Sequence, residues 1–413
     1  MKILFVHQNF PGQYKNLAPA LAADGHDVVA LSMRKHPPTM WNGVRVLTYQ
    51  AQRGSAKAVH PWVSDFETKV IRGEACLQAA MQLKRDGFEP DAIVVHPGWG
   101  EGLFLRDVWP RARIGLYCEF FYRTEGQDVN FDPEFTRADD LAESRLRIKN
   151  AANLLQMEEA SAGLAPTHWQ ASTFPEPFRS TISVAHDGID TQLVAPRPDV
   201  EVPLRNAAGE LKLTRGDEVI TFVNRNLEPY RGYHVFMRAL PALLAARPNA
   251  RVVIVGADDV SYGSRPPQGK TWKQVFIEEV RPRIADADWQ RVLYVGTLQY
   301  PQFITMLQLS TVHVYLTYPF VLSWSLLEAM SAGCAIVASD TAPVREAIRH
   351  DDTGKLVDFF DVDGLARQVA QLSADAEQRK VLGARARAHA VANYDLKAVC
   401  LPQQVEWVKK LAG

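Results

Sequence analysis

The chain has 413 residues, of which 47% are hydrophobic and 23% are charged. This composition is typical of a folded globular protein and excludes disordered and fibrous classes, while the length favours about two domains. Forty-six basic and 47 acidic residues give a formal net charge of -1, so no general attraction to nucleic acid is expected.

The cysteines and the N-terminus indicate the cellular environment. The four cysteines form no Cys-x-x-Cys pair, which favours a reducing compartment and predicts neither a zinc site nor a disulfide framework. The apolar run at residues 3–6 is too short for a signal peptide, and no apolar stretch of about 18 residues follows. We therefore expect a cytoplasmic protein, and we leave a peripheral association with the membrane open.

The first half of the chain alternates short apolar runs with helical patterns. A helix is predicted from about Gln13 to Asp24, and strands are predicted at residues 3–6, 27–31, 92–95 and 114–117. Strands that are apolar throughout and separated by helices are typical of a parallel sheet covered on both faces. We therefore predict a Rossmann-like domain over residues 1–185.

The same pattern restarts after a Pro- and charge-rich passage at residues 195–203. An Asp-Gly turn within His186–Asp190 marks the predicted domain junction. A second Rossmann-like domain is predicted over residues 186–395, with strands at residues 219–223, 251–255, 292–295, 312–316 and 335–338. A C-terminal helix at about 396–413 is expected to pack back on the first domain. The predicted fold class is α/β, with two doubly wound parallel sheets facing across a cleft.

The loops that follow strands are the candidate binding sites, because ligands of open α/β sheets bind beyond the carboxyl ends of the strands. Gly12 follows the first strand and would let backbone amides approach an anion or a sugar. An ordinary strand-to-helix turn explains this glycine equally well. The Gly-x-Gly-x-x-Gly fingerprint is absent, which counts against a nicotinamide dehydrogenase.

Two loops of the second half carry candidates for anion binding. Arg225 and Arg231 follow the strand at residues 219–223 and would bind a diphosphate through charge-assisted hydrogen bonds, with a solvated charge pair as the alternative. A helix is predicted to begin at Ser323 or Ser325, where free amides would hold phosphate oxygens. Glu328 lies one turn into that helix among apolar residues and would accept bonds from ligand hydroxyls, unless it only solvates the helix face.

The run SWSLLEAMSAGCAIVAS, which begins at Ser323, resembles the donor-binding signature of family 4 glycosyltransferases. Asn224–Gly232 resembles the family's diphosphate loop, and His186–Asp190 resembles its Asn-Gly-Val-Asp junction. The resemblance covers nearly the whole chain and implies the GT-B fold. It also implies transfer with retention of the donor's anomeric configuration.

The resemblance assigns roles to individual residues. It implies that Arg225 and Arg231 bind the donor diphosphate, that Glu328 binds the nucleotide ribose, and that Gly12 lies near the donor phosphate and sugar. The donor site would be completed by the segment Ser323, Trp324 and Ser325. Charge that develops on the leaving diphosphate would be stabilised by these cations and amides, so no metal ion is expected.

The chain departs from the family pattern at two positions. Phe320 stands eight positions before Glu328, where the family commonly has a glutamate that contacts the transferred sugar. Glu119 follows the strand at residues 114–117, where the family often has a histidine, and we predict that Glu119 is catalytic. An ion pair with Arg123 is the structural alternative.

His96 and Trp99 resemble the family's acceptor-side loop. His96 would bond to a sugar hydroxyl and Trp99 would stack on a sugar ring, although a structurally satisfied histidine fits the same spacing.

The predicted function is metal-independent transfer of a hexosyl group from a nucleotide-diphosphate sugar to a glycan or lipid-linked acceptor. No cofactor and no nucleic-acid partner are expected, and the resemblance places the reaction in bacterial polysaccharide or glycolipid assembly. Two alternatives remain open. One is a nucleotide-sugar epimerase or hydrolase of the same fold, and the other is a non-catalytic nucleotide-sugar-binding subunit.

Overall fold

The computed structural model describes residues 1–35, 38–136, 140–206 and 209–413, in which the apolar runs become the strands of two separate parallel sheets. The chain divides into two units. The first contains Met1–Asn130, Arg137–Gly188 and Lys397–Gly413, and the second contains Phe131–Thr136 and Ile189–Leu396. None of the helices in the described ranges is long and apolar enough to cross a membrane.

The sheet of the first unit has eight strands in the order β3-β4-β2-β1-β5-β6-β7-β8, parallel except for the β3–β4 pair. The strands are β1 (Lys2–Val6), β2 (Asp27–Ser32), β3 (Met40–Trp41), β4 (Val44–Thr48), β5 (Ala92–Val95), β6 (Arg113–Tyr117), β7 (Ala162–Ala165) and β8 (Ile182–Val184). The four strands predicted for this half are confirmed, and they include the three central neighbours β1, β5 and β6.

Both faces of this sheet are covered, as the apolar strands predicted. Leu4 and Val6 of β1 pack in one hydrophobic core, while Ile3 and Phe5 pack in the core on the other face. Successive side chains of a strand point to opposite faces, so a strand buried on both sides must be apolar at every position.

The helices of the first unit before residue 189 are α1 (Leu17–Ala23), α2 (Ser64–Arg85), α3 (Leu105–Val108), α4 (Ala142–Lys149), α5 (Ala151–Glu159) and α6 (His168–Thr173). The predicted helix from Gln13 to Asp24 is wrong at its start, because a separate 3₁₀ turn at Gly12–Lys15 precedes α1. Pro19 explains the late start, because proline lacks an N–H and clashes with the preceding turn, so it is best accommodated in the first turn of a helix.

The second unit contains a six-stranded parallel sheet in the order β13-β12-β11-β14-β15-β16 and a separate antiparallel pair, β9–β10. The strands are β9 (Glu201–Asn206), β10 (Gly209–Thr214), β11 (Val219–Asn226), β12 (Arg251–Ala257), β13 (Val292–Gly296), β14 (Val312–Tyr315), β15 (Ala335–Ser339) and β16 (Lys355–Val357). Two doubly wound parallel sheets are thus confirmed. The passage at residues 195–203 is not wholly a linker, because β9 begins within it.

The helices of the second unit are α7 (Tyr233–Ala246), α8 (Trp272–Val280), α9 (Asp286–Trp289), α10 (Tyr300–Leu309), α11 (Trp324–Ser331), α12 (Ala342–Ala347), α13 (Val362–Ala374) and α14 (Ala376–Tyr394). The last helix, α15 (Leu401–Ala412), belongs to the first unit. Its Trp407 packs against β6, where a Cβ atom at Gly115 would lie only 2.5 Å from the Trp407 ring. A glycine in this strand therefore makes room for the helix.

The segment Phe131–Thr136 lies within the range predicted for the first domain, but it belongs to the second unit. Two aromatic side chains attach it there. The Phe131 ring lies 5.1 Å from the Tyr318 ring, and the Phe135 ring lies 5.2 Å from the Trp272 ring. Such contacts form between positions far apart in the sequence, so no local pattern predicts them.

Candidate active site

The candidate residues of the first unit lie just beyond three neighbouring strands of its sheet. His7 follows β1, His96 follows β5, and Glu119 lies two positions beyond β6. Because β1, β5 and β6 are adjacent and parallel, the loops at their carboxyl ends meet at one edge of the sheet.

The Glu119 carboxylate lies at the centre of a polar network. Gln13 Nε2 donates to Glu119 Oε1 at 3.1 Å, and His96 Nε2 lies 3.4 Å from Glu119 Oε2. On its other side the Gln13 Oε1 atom lies 2.8 Å from His7 Nε2. About 35% of the Glu119 side chain stays exposed, so a ligand can reach it.

Backbone contacts determine which nitrogen of each histidine carries the proton. The Asn9 N–H donates to His7 Nδ1 at 2.9 Å, and the Gly98 N–H donates to His96 Nδ1 at 3.2 Å. In its neutral form each ring therefore carries its proton on Nε2. His7 donates to Gln13, and His96 directs its N–H at Glu119.

The charge states of these groups follow from burial and contacts. Burial, with repulsion from His96, lowers the pKa of His7 to about 3, so its imidazole is neutral at neutral pH. Burial alone would raise the pKa of Glu119, but its contacts with His96, His7 and Gln13 hold it below its usual value. The first unit thus presents a carboxylate held by Gln13 and His96.

Trp99 and Gly12 flank this network. The Trp99 ring stacks on the His96 ring with centroids 4.2 Å apart, so one face of the indole is already occupied. Gly12 has a φ of +48°, and a Cβ atom there would lie 2.3 Å from His7 Nε2. A side chain at position 12 would therefore displace the His7 ring.

The structure thus brings together Gly12, His96, Trp99 and Glu119, and it adds His7 and Gln13, which sequence reasoning missed. A polar residue directly after the first predicted strand was the available signal for His7. The alternative ion pair with Arg123 is wrong, because Arg123 donates instead to the carbonyl groups of Thr173 and Phe174. Whether Glu119 is catalytic stays a prediction.

Glu101 is a second acidic group of the first unit. It is buried, and neither carboxyl oxygen has a hydrogen-bond partner among the residues that the structure describes. Burial raises the pKa of Glu101 from its ordinary value of 4.5 to about 7. The folded protein therefore binds a proton here more tightly than the unfolded chain does.

Glu101→Gln is expected to make the free energy of unfolding less dependent on pH. In the wild type this free energy should fall as pH rises from about 4.5 to 7, by roughly 3 kcal/mol, because the folded state holds the proton more strongly. Glutamine stays neutral, so the variant should be the more stable protein at pH 8. Urea unfolding at pH 5 and pH 8 measures this, with Glu74→Gln as an exposed control. Equal pH dependence in wild type and variant would contradict a protonated Glu101.

In the second unit, Arg231 ends a 3₁₀ turn that follows β11. Only 7% of Arg231 is exposed, and its Nη1 donates to Thr317 Oγ1 at 2.7 Å and to the Val321 carbonyl at 3.1 Å. Both partners follow β14, the neighbour of β11 in the sheet. Within the described ranges no carboxylate lies within ion-pair distance of Arg231. Its guanidinium is therefore a buried, positioned and uncompensated positive charge.

The glycine after Arg231 fixes the path of this loop. Gly232 has a φ of +70°, and a Cβ atom there would lie 2.3 Å from the Leu316 Cβ atom. This backbone conformation disfavours other residues. Glycine at this position therefore lets α7 begin close to the end of β14.

Glu228, which sequence reasoning missed, organises the loop over Arg231. It is buried, and its carboxylate accepts the N–H groups of Ser261, Tyr262 and Gly263 at 3.1 to 3.3 Å. The Tyr262 ring consequently lies with its centroid 5.3 Å from the Arg231 guanidinium. Its position within the predicted diphosphate loop, Asn224–Gly232, was the sequence signal.

Ser323 is the N-cap of α11, as predicted, and its hydroxyl accepts the Ser325 N–H at 3.3 Å. The Ser323 N–H donates to the Tyr315 hydroxyl at 3.0 Å. The expectation of unpaired amides is therefore wrong for Ser323 and Ser325, because a capping side chain and a buried tyrosine satisfy them. That Ser323, Trp324 and Ser325 bind the donor stays a prediction.

Glu328 is 5% exposed, so the alternative of a carboxylate on a solvated helix face is wrong. The hydroxyl of Tyr300, the first residue of α10, donates to Glu328 Oε1 at 2.7 Å. Tyr300 itself is exposed, so the contact between the two groups lies near the surface. Binding of a ribose by Glu328 stays a prediction.

Phe320 and Arg225 differ sharply in their surroundings. Phe320 is buried, and its ring lies 5.1 Å from the Tyr230 ring and 5.0 Å from the Tyr262 ring. Arg225 lies in β11 and is exposed, and its side chain forms no hydrogen bond or ion pair with any residue that the structure describes. The structure thus does not join Arg225 to the other candidates by a contact.

Asp132, Glu134 and His234 offer ligand atoms within 4.8 Å of one another, the geometry of a candidate metal group. Asp132 Oδ2, however, accepts the Tyr318 hydroxyl at 2.6 Å and lies 3.0 Å from His234 Nε2. Glu134 forms a two-bond ion pair with Arg238 at 2.6 and 2.8 Å. The carboxylates already have donors, and Arg238 would repel a cation, so the group does not fit a metal ion.

Two family profiles match the chain. Residues 24–194 match the family described as glycosyl transferase family 4 group, and residues 206–389 match glycosyl transferases group 1. Each profile corresponds to most of one of the two α/β units.

Individual relatives agree with this. A GDP-mannose-dependent alpha-(1-6)-phosphatidylinositol monomannoside mannosyltransferase of Mycolicibacterium smegmatis is 25% identical over 95% of this chain and 94% of its own length. The phosphatidyl-myo-inositol mannosyltransferase of the same organism is 29% identical over 45% of this chain, a match that spans less than half, 43%, of that relative.

A solved structure confirms the fold. The Anabaena protein HepE, in complex with UDP and glucose, has a TM-score of 0.67 and 16% identity, covering 99% of this chain and 98% of its own. The chain therefore belongs to the family 4 glycosyltransferases, enzymes with the GT-B fold that use nucleotide-sugar donors.

Proposed function

We propose that the protein transfers a hexosyl group from a nucleotide-diphosphate sugar to a glycan or lipid-linked acceptor, with retention and without a metal ion. Arg231 carries the proposal. A buried cation with no carboxylate partner among the described residues is costly unless an anion accompanies it. The diphosphate of a donor would supply that anion.

The chemistry assigns distinct tasks to the two groups of residues. As the bond from the sugar to the diphosphate breaks, negative charge grows on the leaving oxygen, and Arg231 would stabilise it. Thr317 and Val321 hold the guanidinium, so little reorganisation is needed when the charge develops. Glu119 and His96 would bind the hydroxyl groups of the transferred sugar or acceptor.

The relatives support a hexose and a membrane-associated acceptor. One M. smegmatis relative takes mannose from GDP-mannose and acts on a phosphatidylinositol monomannoside. HepE was solved with UDP and glucose. We propose a lipid-linked acceptor for this chain as the first choice, reached by a cytoplasmic enzyme at the membrane surface.

The experiment is a thermal-shift screen against UDP-, GDP- and ADP-linked hexoses in the presence of EDTA, followed by product analysis with lipid and glycan acceptors. A ligand at about 100 times its dissociation constant adds about 2.7 kcal/mol of stability, so a true donor should raise Tm clearly. Transfer in EDTA is expected. Loss of transfer in EDTA would contradict the metal-free mechanism. Release of free hexose would indicate a hydrolase, and formation of an epimerised donor would indicate an epimerase. Donor binding without turnover would indicate a non-catalytic binding subunit.

The variant Glu328→Ala tests, in the same screen, whether Glu328 binds the ribose of the donor. Because a charged group contributes about 1.5 to 3 kcal/mol per hydrogen bond, losing contacts with ribose hydroxyls should weaken donor binding at least about tenfold. Tyr300→Phe is the control, since it removes the Tyr300 bond to Glu328 and leaves the carboxylate in place. Unchanged donor affinity in a folded Glu328→Ala variant would remove this residue from the site.

A further inference from the structure

A cavity lies in the second unit, at the edge of the sheet opposite Arg231 and Ser323. Its lining includes Glu218, Thr311 and Ala335, which stand immediately before or at the start of β11, β14 and β15. Arg231 and Ser323, by contrast, follow the carboxyl ends of β11 and β14. The cavity has a volume of about 730 Å³, within the range of about 300 to 1,000 Å³ that small-molecule sites occupy.

The lining is rich in positive charge. It contains five cationic side chains, Arg215, Arg247, Arg379, Lys380 and Arg387, and two acidic ones, Asp217 and Glu218. The whole chain has a formal net charge of only -1. This concentration of cations is therefore a local property of the cavity.

Most of this charge has no counter-ion. Glu218 pairs with Arg247 at 2.7 and 2.8 Å, and Asp217 accepts bonds from the N–H and hydroxyl of Thr214. None of the other four cations has a carboxylate within ion-pair distance in the part of the chain that the structure describes. The Lys380 ammonium group forms no hydrogen bond with the described residues either.

The uncompensated arginines are nevertheless fixed in place. Arg215 Nη1 donates to the Gln308 and Ser310 carbonyls, and Arg379 Nη1 donates to the Leu372 carbonyl at 3.0 Å. These bonds use one nitrogen of the Arg215 guanidinium and one of the Arg379 guanidinium, and they leave the other nitrogens for a ligand. Arg387 is less available, because its Nη1 donates to the Val194 and Ser331 carbonyls and its Nη2 donates to the Thr191 carbonyl. Burial, with repulsion from Arg247 and Arg215 against attraction by Glu218, lowers the pKa of Arg379.

A further polar group lines the cavity. Ser373 is buried, and its hydroxyl has no hydrogen-bond partner among the described residues. Ala376, the first residue of the 19-residue helix α14, also lines the cavity and carries the positive end of the helix dipole.

We propose that this cavity binds the phosphate groups of a small phosphorylated molecule, as a site separate from the donor site. Positioned guanidinium groups bind phosphate oxygens through strong charge-assisted bonds, and Lys380 adds a point charge. The site lies within one α/β unit and uses none of the residues assigned to transfer, so it does not depend on the proposed reaction.

Isothermal titration of the full-length protein with inorganic pyrophosphate at low ionic strength tests the proposal. Ala384 lines the cavity and is exposed, so Ala384→Glu adds a negative charge without removing a contact. In the Arg231→Ala background, which removes the cation of the donor site, we expect one pyrophosphate to bind, with affinity at least tenfold weaker when Ala384→Glu is added and within about twofold when Ala384→Gln is added. Absence of binding to the wild type, or equal binding with and without Ala384→Glu in that background, would overturn the proposal.

Two further experiments distinguish binding in this cavity from binding of the anion elsewhere. Pyrophosphate binding should survive in Arg231→Ala, and its loss there would place the ligand at the donor site instead. Vesicles containing phosphatidylglycerol test a lipid headgroup as the source of the phosphate. If the wild type binds these vesicles but not pyrophosphate, and Ala384→Glu abolishes the vesicle binding, the proposal of a small soluble ligand would be wrong.

Discussion

Arg231→Ala is expected to lower kcat by about 10²- to 10³-fold, the loss typical of removing one preorganised group that stabilises developing negative charge. The charge on the diphosphate grows as the sugar bond breaks, so the effect on kcat should exceed the effect on the donor KM. Steady-state kinetics with the donor found by the screen measures both constants.

The controls for Arg231 use its neighbours. Arg231→Lys keeps the charge but loses the geometry held by Thr317 and Val321, so it should restore only part of kcat. Arg225→Ala should also lower kcat more than it raises KM, but by less, because Arg225 is exposed and has no partner among the described residues. A rise in KM alone for Arg231→Ala, at unchanged kcat, would make Arg231 an anchor for the ground state only.

Glu119→Gln is expected to reduce transfer at least about tenfold, equivalent to about 1.4 kcal/mol in the barrier, without loss of nucleotide binding. Gln13 and His96 both direct N–H groups at the carboxylate, and a glutamine would place its own N–H₂ against one of them. A bound sugar would then lose an acceptor, and an unpaired buried polar group costs about 1 to 3 kcal/mol. Initial rates and donor titrations give the two quantities.

Arg123→Gln is the control for Glu119, since the Arg123 side chain donates to the carbonyls of Thr173 and Phe174 at the end of α6 and not to Glu119. Its kcat should equal that of the wild type even if Tm falls. Full activity in Glu119→Gln with unchanged Tm would remove Glu119 from the site. Full activity with a lowered Tm would leave it a structural role only.

The sequence predicted the sheets well, because strands buried on both faces must be apolar at every position. It therefore located β1, β5 and β6 and the central strands of the second unit. It missed β3, β4, β7, β8 and β16, which lie towards the edges of the two sheets, and it missed the hairpin of β9 and β10, which pairs with neither sheet. The first residues of β9 lie in the Pro- and charge-rich passage. It also missed the late start of α1 that Pro19 imposes.

The sequence also determined which loops carry the candidate residues, because ligand-binding loops follow the carboxyl ends of parallel strands. Gly12, His96, Glu119, Arg231 and Glu328 all lie in or just beyond such loops. Their chemistry depends on neighbours that are distant in the chain. Glu119 is held by Gln13, which lies 106 positions away, and Glu328 by Tyr300, which lies 28 positions away.

Only the tertiary structure decided which polar groups have hydrogen-bond partners and which charged groups lack a counter-ion among the described residues. It paired the Ser323 amide with the Tyr315 hydroxyl. It buried Arg231 with no carboxylate partner among the described residues, while it left Arg225 exposed. It also gathered the cationic cavity from segments between residues 196 and 387. Sequence spacing specifies what lies along one helix or strand, whereas burial and charge compensation arise between elements, so they are determined only when the chain folds.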